Sequence, residues 1–237
     1  MGRAGGAVAV TLQPERVRAM FDRISPSYDL MNRLMSAGRD GRWRTLGVRT
    51  ARVRPGDHAL DVCCGTGDFA IELRRAIGPA GRVVGLDFSP DMLAVARGKC
   101  PAVDWVQGDA LALPFGDDEF AAACVGFGVR NLSDAERGFA EMARVVRPGG
   151  RIVCLELSTP PPPIRPFSQL WTDRGVPILG RFVAGDADAY RYLPESVHRF
   201  PPAPVLAALM ERAGLVDVSY RRLMLGVVAL HVGTVPS

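Results

Sequence analysis

The chain has 237 residues with 48% hydrophobic content, which suits one generous domain with a substantial core. Its net charge of +4 and pI near 9.0 come almost wholly from arginine, Lys99 being the only lysine. No basic, aromatic-rich run concentrates that charge, which argues against a nucleic-acid partner. Five cysteines without CxxC spacing and three scattered histidines (His58, His198, His231) argue against a disulfide framework and a metal site, so a reducing cytoplasm is the expected setting.

In chain order, residues 1–13 carry too short an apolar patch for a secretory segment and are expected to form a disordered tail. Residues 14–50 read as a helical cover, with Val17, Met20, Phe21 and Ile24 on one stripe. From residue 58 short β-branched runs alternate with amphipathic stretches, the pattern of a doubly wound α/β sheet. The expected strands are HALDVC, RVVGLD, VDWVQ, FAAACVGF and RIVCLEL. Between them DFAIELRRAI stops at Gly78, SPDMLAVARGK opens with Ser89 as cap and Pro90 at the first helical position, and SDAERGFAEMARVVRPGG has Ser133 and Glu136 at capping-box spacing with Pro148-Gly149-Gly150 as terminator. Residues 159–204 open with TPPPPIRP and show no clear period, and are expected to form a lid inserted into the main domain of residues 51–237. After a helix VLAALMERAG, the runs LVDVSYRRL and VVALHVGTV lie around a short Met-Leu-Gly connection, so the last two of seven strands are expected to pair antiparallel in an otherwise parallel sheet.

Chemistry concentrates where the first strand meets a helix, in LDVCCGTGDFA. A strand entering Gly65-Thr66-Gly67 and then a helix brings backbone close to a ligand, and Asp87 ends the next strand twenty positions after Gly67, where a carboxylate accepts the hydroxyls of an adenosyl ribose. A dinucleotide loop needs a third glycine where Ala70 stands, and a pyrophosphate disfavours an acid such as Asp68 at the helix start. S-adenosylmethionine carries a sulfonium and an ammonium instead, and Asp61 and Asp68 then attract it, by roughly 3 kcal/mol per carboxylate at ~6 Å and an effective dielectric of ~20. In QGDALALPF, Asp109 suits the adenine amino group, with Ala110 backbone beside it.

DVCCGTGD, the Asp87 strand end with Phe88 after it, and GDALALPF together resemble the class I S-adenosylmethionine-dependent methyltransferases, whose fold is Rossmann-like. More closely, FDRISPSYDLMNRLMSAGRDGRWR, LDVCCGTGD, GFGVRNLSDAERGFAEMARVVRPGGR, DADAYRYLPESVHRFP and GVVALHVG resemble the ubiquinone/menaquinone biosynthesis C-methyltransferase family. That family's usual Ser before FG is Gly126 here, which leaves only backbone contact to the cofactor at that position. The resemblance implies methylation of a ring carbon of a polyprenylated quinol, with demethylmenaquinol favoured, a methoxy-benzoquinol as the alternative, and a non-catalytic cofactor-binding scaffold as a rival from another class.

Such a reaction needs a ring carbon activated by an adjacent oxyanion, so the protein must place the ring and stabilise that oxygen. Arg130 and Asn131, just after the fourth long strand, are the candidates beside the methyl group, Arg130 stabilising the oxyanion or else clamping a lid acid. Tyr28 is the candidate for ring placement, or else packs the N-terminal helix. His231 reads as structural, and Cys63 and Cys64 as small packing residues. The chain has no run of about 20 apolar residues, so membrane contact would be peripheral, on the inner face of the cell membrane. Residues 160–183, with Ile164, Phe167, Leu170, Trp171, Val176, Ile178, Leu179 and Phe182 beside Arg165, Arg174 and Arg181, suit either an anionic surface or a lid over the ring pocket. A homodimer is left open.

Overall fold

A computed structural model of the chain describes residues 14–183 and 189–237, so the expected tail at residues 1–13 and the start of the DADAYRY block lie outside the described residues. Three helices come first: α1 (Pro14–Ile24), α2 (Tyr28–Met35) and α3 (Asp40–Ala51). The alternation follows as β1 (His58–Val62), α4 (Asp68–Ile77), β2 (Arg82–Asp87), α5 (Pro90–Lys99), β3 (Asp104–Gln107), β4 (Phe120–Gly126), α6 (Ala135–Val145) and β5 (Val146–Leu157). After α7 (Arg165–Leu170), a π-helical turn (Trp171–Gly175), α8 (Val176–Val183) and α9 (Ala189–Arg199), the chain ends with α10 (Ala203–Arg212), β6 (Val216–Leu223) and β7 (Val228–Thr234).

The seven strands make one sheet in the order β3-β2-β1-β4-β5-β7-β6, in which β7 alone runs against the others. This is the doubly wound architecture expected of a class I methyltransferase. The β1 side chains show why the sheet must be covered on both faces: Leu60 and Val62 join the core under α6 and α10, while Ala59 faces the core built with α3 and α4. Chain order reverses between β1 and β4, which is where a sheet of this kind opens a crevice beyond its strand ends.

Local expectations hold at α5, where Ser89 Oγ accepts from the Met92 amide at 3.1 Å, and at Gly78, which ends α4 with φ 71°. They shift by a residue or more at α6. Asp134, not Ser133, caps that helix, accepting from the Arg137 amide at 2.9 Å, and α6 ends at Val145 because Val146 already pairs with Phe120. Pro148-Gly149-Gly150 therefore lies inside β5, at the register shift between Phe120 and Ala122, rather than after the helix.

The described part of residues 159–204, where the sequence shows no clear period, folds mainly as helices. Val176 and Tyr192 are buried with Val17, Met20, Ile24, Met31 and Met92, so the N-terminal stripe and the inserted helices share a third apolar cluster beside α5. That cluster carries Tyr28 at its edge and sets it over the turn after β1, since a Cβ built on Gly65 would lie 3.7 Å from the Tyr28 ring.

The α6 start is open to a direct check. Replacing Asp134 with Ala is expected to cost about 1 kcal/mol of unfolding free energy in urea titrations, whereas Ser133→Ala should change it by less than about 0.5 kcal/mol.

Candidate active site

A cavity of about 550 Å³ opens at the carboxyl ends of β1, β2 and β4, a size suited to a small-molecule ligand. Eight of the residues singled out from the sequence line it: Tyr28, Gly65, Asp87, Phe88, Asp109, Ala110, Gly126 and Asn131. Asp61 and Thr66 sit behind it in a small annex shared with Arg44 and Asp68. Gly67 and Arg130 are in neither wall.

The turn after β1 is shaped by close approach. Gly67 has φ 87°, and a Cβ there would meet the Trp105 ring at 2.3 Å, so only glycine lets α4 start where it does. Cys63 and Phe127, the residues next to the ends of β1 and β4, hold φ of 54° and 59°, a costly region for residues with a Cβ. A Cβ on Gly128 would fall 2.4 Å from that of Cys63, so the two strand-end loops are in contact and cannot shift independently. Both cysteines are free, and burial pushes their thiols well up, in keeping with a packing role.

Asp87 is held from two sides. Its Oδ2 accepts from the Gly65 amide at 2.8 Å and its Oδ1 from the Ser89 amide at 2.9 Å. Burial raises its pKa to about 6, against the lowering effect of those amides. Asp61 is more extreme: Oδ2 accepts from the Ala70 amide at 2.8 Å, Oδ1 is buried with no partner, and burial raises the pKa to about 8. A fully buried carboxylate with an orphan oxygen in a polar annex calls for a donor or a cation. Arg44 does not close that gap by a hydrogen bond to it; its Nη1 is paired with Asp40 at 2.6 Å, its Nη2 lies 3.7 Å from Asp68, and its guanidinium stacks 5.9 Å from the Phe127 ring centre. Asp68, expected to attract a sulfonium, is instead tied to Lys99, which also bonds Asp29 at 2.8 Å.

Over the opposite wall, Phe21 meets Tyr28 and Phe88 edge-on at ring separations of 6.2 and 6.3 Å. Asp109 is turned into its own loop, accepting from the Leu111 amide at 2.9 Å. Asn131 Oδ1 accepts from the Tyr192 hydroxyl at 3.2 Å, which ties α9 to the cavity. Arg130 points away from the cavity: its Nη1 donates to Glu156 at 2.9 Å and to the Phe127 carbonyl, while its backbone N–H donates to the other Glu156 oxygen at 3.3 Å. Burial works against its charge and Glu156 more than offsets that, so Arg130 stays protonated. Its Nε is buried without a partner. His231 donates through Nε2–H to the Ala203 carbonyl, 2.9 Å away, and burial lowers its pKa, as suits the structural role read from the sequence.

Arg44, Phe127, Glu156 and Tyr192 are site residues that sequence reading did not single out. Only Glu156 left a local trace, as the one acid inside the apolar run RIVCLEL. The walls thus present carboxylates and aromatic rings at the strand ends, an arrangement for an adenosyl ligand with a positively charged end rather than a polyphosphate.

The ubiE/COQ5 methyltransferase family model matches residues 9–235. The chain belongs to that family. It is 46% identical over 224 residues to a demethylmenaquinone methyltransferase of Thermus thermophilus, covering 92% of this chain and 100% of that one. Proteins of the same name from Desulfitobacterium hafniense and Bacillus cereus are each 42% identical, over 93% and 94% of this chain and 90% and 96% of theirs. Among solved structures, the cyclase SpnF superposes with a TM-score of 0.70 at 20% identity over 98% of this chain and 99% of its own. A possible histamine N-methyltransferase of Thermotoga maritima gives 0.61 at 20% over 92% and 99%. Those two likenesses speak to the fold; family membership makes the chain a methyltransferase and implies S-adenosylmethionine as its methyl source.

The orphan carboxylate makes a pH-dependent prediction. Asp61 is protonated more readily folded than unfolded, so its contribution to stability falls as pH rises from about 4 to about 8. In the ligand-free protein, Asp61→Asn is therefore expected to flatten that fall, raising Tm relative to the parent at pH 8 and leaving it little changed near pH 4 in calorimetry.

Proposed function

We propose that this chain transfers a methyl group from S-adenosylmethionine to a ring carbon of demethylmenaquinol, giving menaquinol. The observation that carries the reading is the acidic seat at the switch point, Asp87 fixed by two amides and Asp61 with one oxygen left open, beside a cavity of suitable size. The benzoquinol and scaffold alternatives are weaker, since the relatives at 42–46% identity over most of the chain are named demethylmenaquinone methyltransferases.

When bound, the cofactor supplies an electrophilic methyl on a sulfonium. Asp87 would hold the ribose hydroxyls, Phe88 and Ala110 would flank the adenine, and Asp109 would take its amino group. Asp61, Gly65, Thr66 and Gly126 would surround the amino-acid end, Asp61 giving its open oxygen to the ammonium. Gly67 acts from behind, by letting the turn close on Trp105. Residues 14–50 and 159–204 serve as cover and lid on the methyltransferase domain of residues 51–237, and Tyr28 from that cover places the quinol ring.

The quinol oxygen beside the reacting carbon would give its proton to water as the carbon takes the methyl and the donor is left as a neutral thioether; the carbon would then release its hydrogen as a proton to water while the oxygen takes a proton back, so that one proton is released per methyl transferred. Asn131 offers its amide to that oxygen. Glu156 neutralises much of the Arg130 charge and holds it outside the cavity wall, so Arg130 would assist as a positioning residue, by fixing the turn that carries Asn131, not as a free cation. The enzyme would act from the cytoplasm on the inner face of the membrane that holds its substrate.

Transfer of a labelled methyl group to a demethylated naphthoquinol is the test. Asp87→Ala is expected to weaken cofactor binding at least about tenfold in titration calorimetry, with the fold intact by circular dichroism; undiminished binding would sink the acidic seat. Turnover of the benzoquinol but not the naphthoquinol would replace the substrate and keep the chemistry.

A further inference from the structure

Among the described residues, six of the ten large apolar side chains exposed to solvent gather on α2 and on the stretch from α7 to α8, the other four being Val205, Val216, Tyr220 and Leu225 toward the C-terminus. Phe167, Leu170, Trp171 and Ile178 are 48–74% exposed, and they recur at three-, four- and seven-residue intervals along one continuous helical stretch, α7, the π turn and α8. Arg174 and Arg181 fall on the same stripe and are exposed, as is Arg165 at its start. The other side of the stretch is spent inward, with Val176 buried and Leu179 packed against the cluster of α1 and α2. A core helix buries its apolar face and exposes its polar one; here both faces are apolar and the outer one adds cations. Leu30 and Leu34, 53% and 42% exposed on α2, which packs against α8, extend the patch. Among the described residues of the stretch the one acid is Asp173, already paired with His198 at 2.8 Å, and Asp29 on α2 is paired with Lys99. The surface is therefore apolar, basic and close to the helices that wall the cavity through Val17, Phe21 and Tyr28.

We propose that the outer faces of α2 and of the Arg165–Val183 helical stretch dock the protein on an anionic lipid bilayer, with Phe167, Leu170, Trp171 and Ile178 entering the interface and the arginines meeting headgroups. The inference deepens the proposed function, which places a polyprenyl tail in that bilayer, but its physical basis is the surface itself. A second copy of the chain fits less well, because a self-complementary contact across this patch would bring its arginines together.

Co-sedimentation of the full chain with vesicles of phosphatidylcholine alone and with phosphatidylglycerol added decides it. Binding is expected to the anionic vesicles, to fall with salt, and to drop at least about tenfold in the triple variant Phe167→Ser, Trp171→Ser, Ile178→Ser, with cofactor affinity unchanged as the check on folding. Arg165→Gln with Arg174→Gln and Arg181→Gln should weaken it about 100-fold. Equal binding to both vesicles, no binding, or a dimer in sedimentation velocity that the triple variant dissolves would overturn the proposal. Absent vesicle binding with methyl transfer to a short-tailed quinol intact would refute docking and leave the enzyme reading standing; docking without any methyl transfer would do the reverse.

Discussion

Two carboxyl groups, Asp61 and Asp87, are carried into the interior by the adjacent parallel strands β1 and β2, and much of the surrounding structure answers the cost of keeping them there. Burying a charge is unfavourable by several kcal/mol unless hydrogen bonds or a counter-charge offset it. Asp87 receives two backbone amides, one from the turn after β1 and one from the start of α5, so its carboxylate joins the two βα units across the switch point. Asp61 receives one, from the first turn of α4. The difference follows from position: Asp87 stands at a strand end facing two loops, whereas Asp61 lies within β1 and meets only the helix that follows. One carboxylate is settled by the fold, and the other is left waiting for a cation.

The glycine turn makes this geometry attainable. Gly65 must present its amide to Asp87 while Gly67 enters α4 against the flat ring of Trp105, where a side chain would collide with that ring. The cover is fastened to the same turn by polar bonds instead of by packing alone. Thr66 donates to Asp29 of α2, Ser89 donates to Asp22 of α1, and Lys99 joins Asp29 to Asp68. Anything that moves α1 and α2 is thereby felt at both carboxylate-bearing loops, which couples the wall that carries Tyr28 to the wall that carries Asp87.

Strands were readable from sequence because burial on both faces writes itself as continuous β-branched runs, and LDVC, VVGLD and IVCLEL each fall inside their observed strands or at most a residue past the end. The α6 cap falls one residue later than the capping-box spacing implies because Ser133 and Asp134 are adjacent and both competent caps, so the sequence alone does not choose between them. Residues 159–204 hid their helices for a different reason: apolar residues occupy the inner and outer faces together, which erases the helical period, and Pro166, Pro177 and Pro194 mimic breaks. At the site, Asp61, Gly65 and Asp87 were legible because their spacing is local. Arg44, Phe127 and Tyr192 were not, since each reaches the cavity region from a separate element and has meaning only through a contact made in space.

Arg130 illustrates how far a sequence position can mislead about charge. It stands after β4, where a free guanidinium would dominate the field of the cavity, yet Glu156 from the neighbouring strand β5 meets it with both oxygens and draws the side chain under the Phe127 carbonyl. The pair is nearly neutral at a distance and lies outside the cavity wall, so it can serve a developing oxyanion only through the rigidity it gives the Gly128–Asn131 turn. That rigidity passes to Asn131, the residue of the turn that does line the cavity, and through its bond with Tyr192 to α9. A buried ion pair at this place is therefore better suited to fixing where the reacting oxygen must lie than to attracting the substrate, and attraction falls to the apolar cavity and to whatever surface receives the tail.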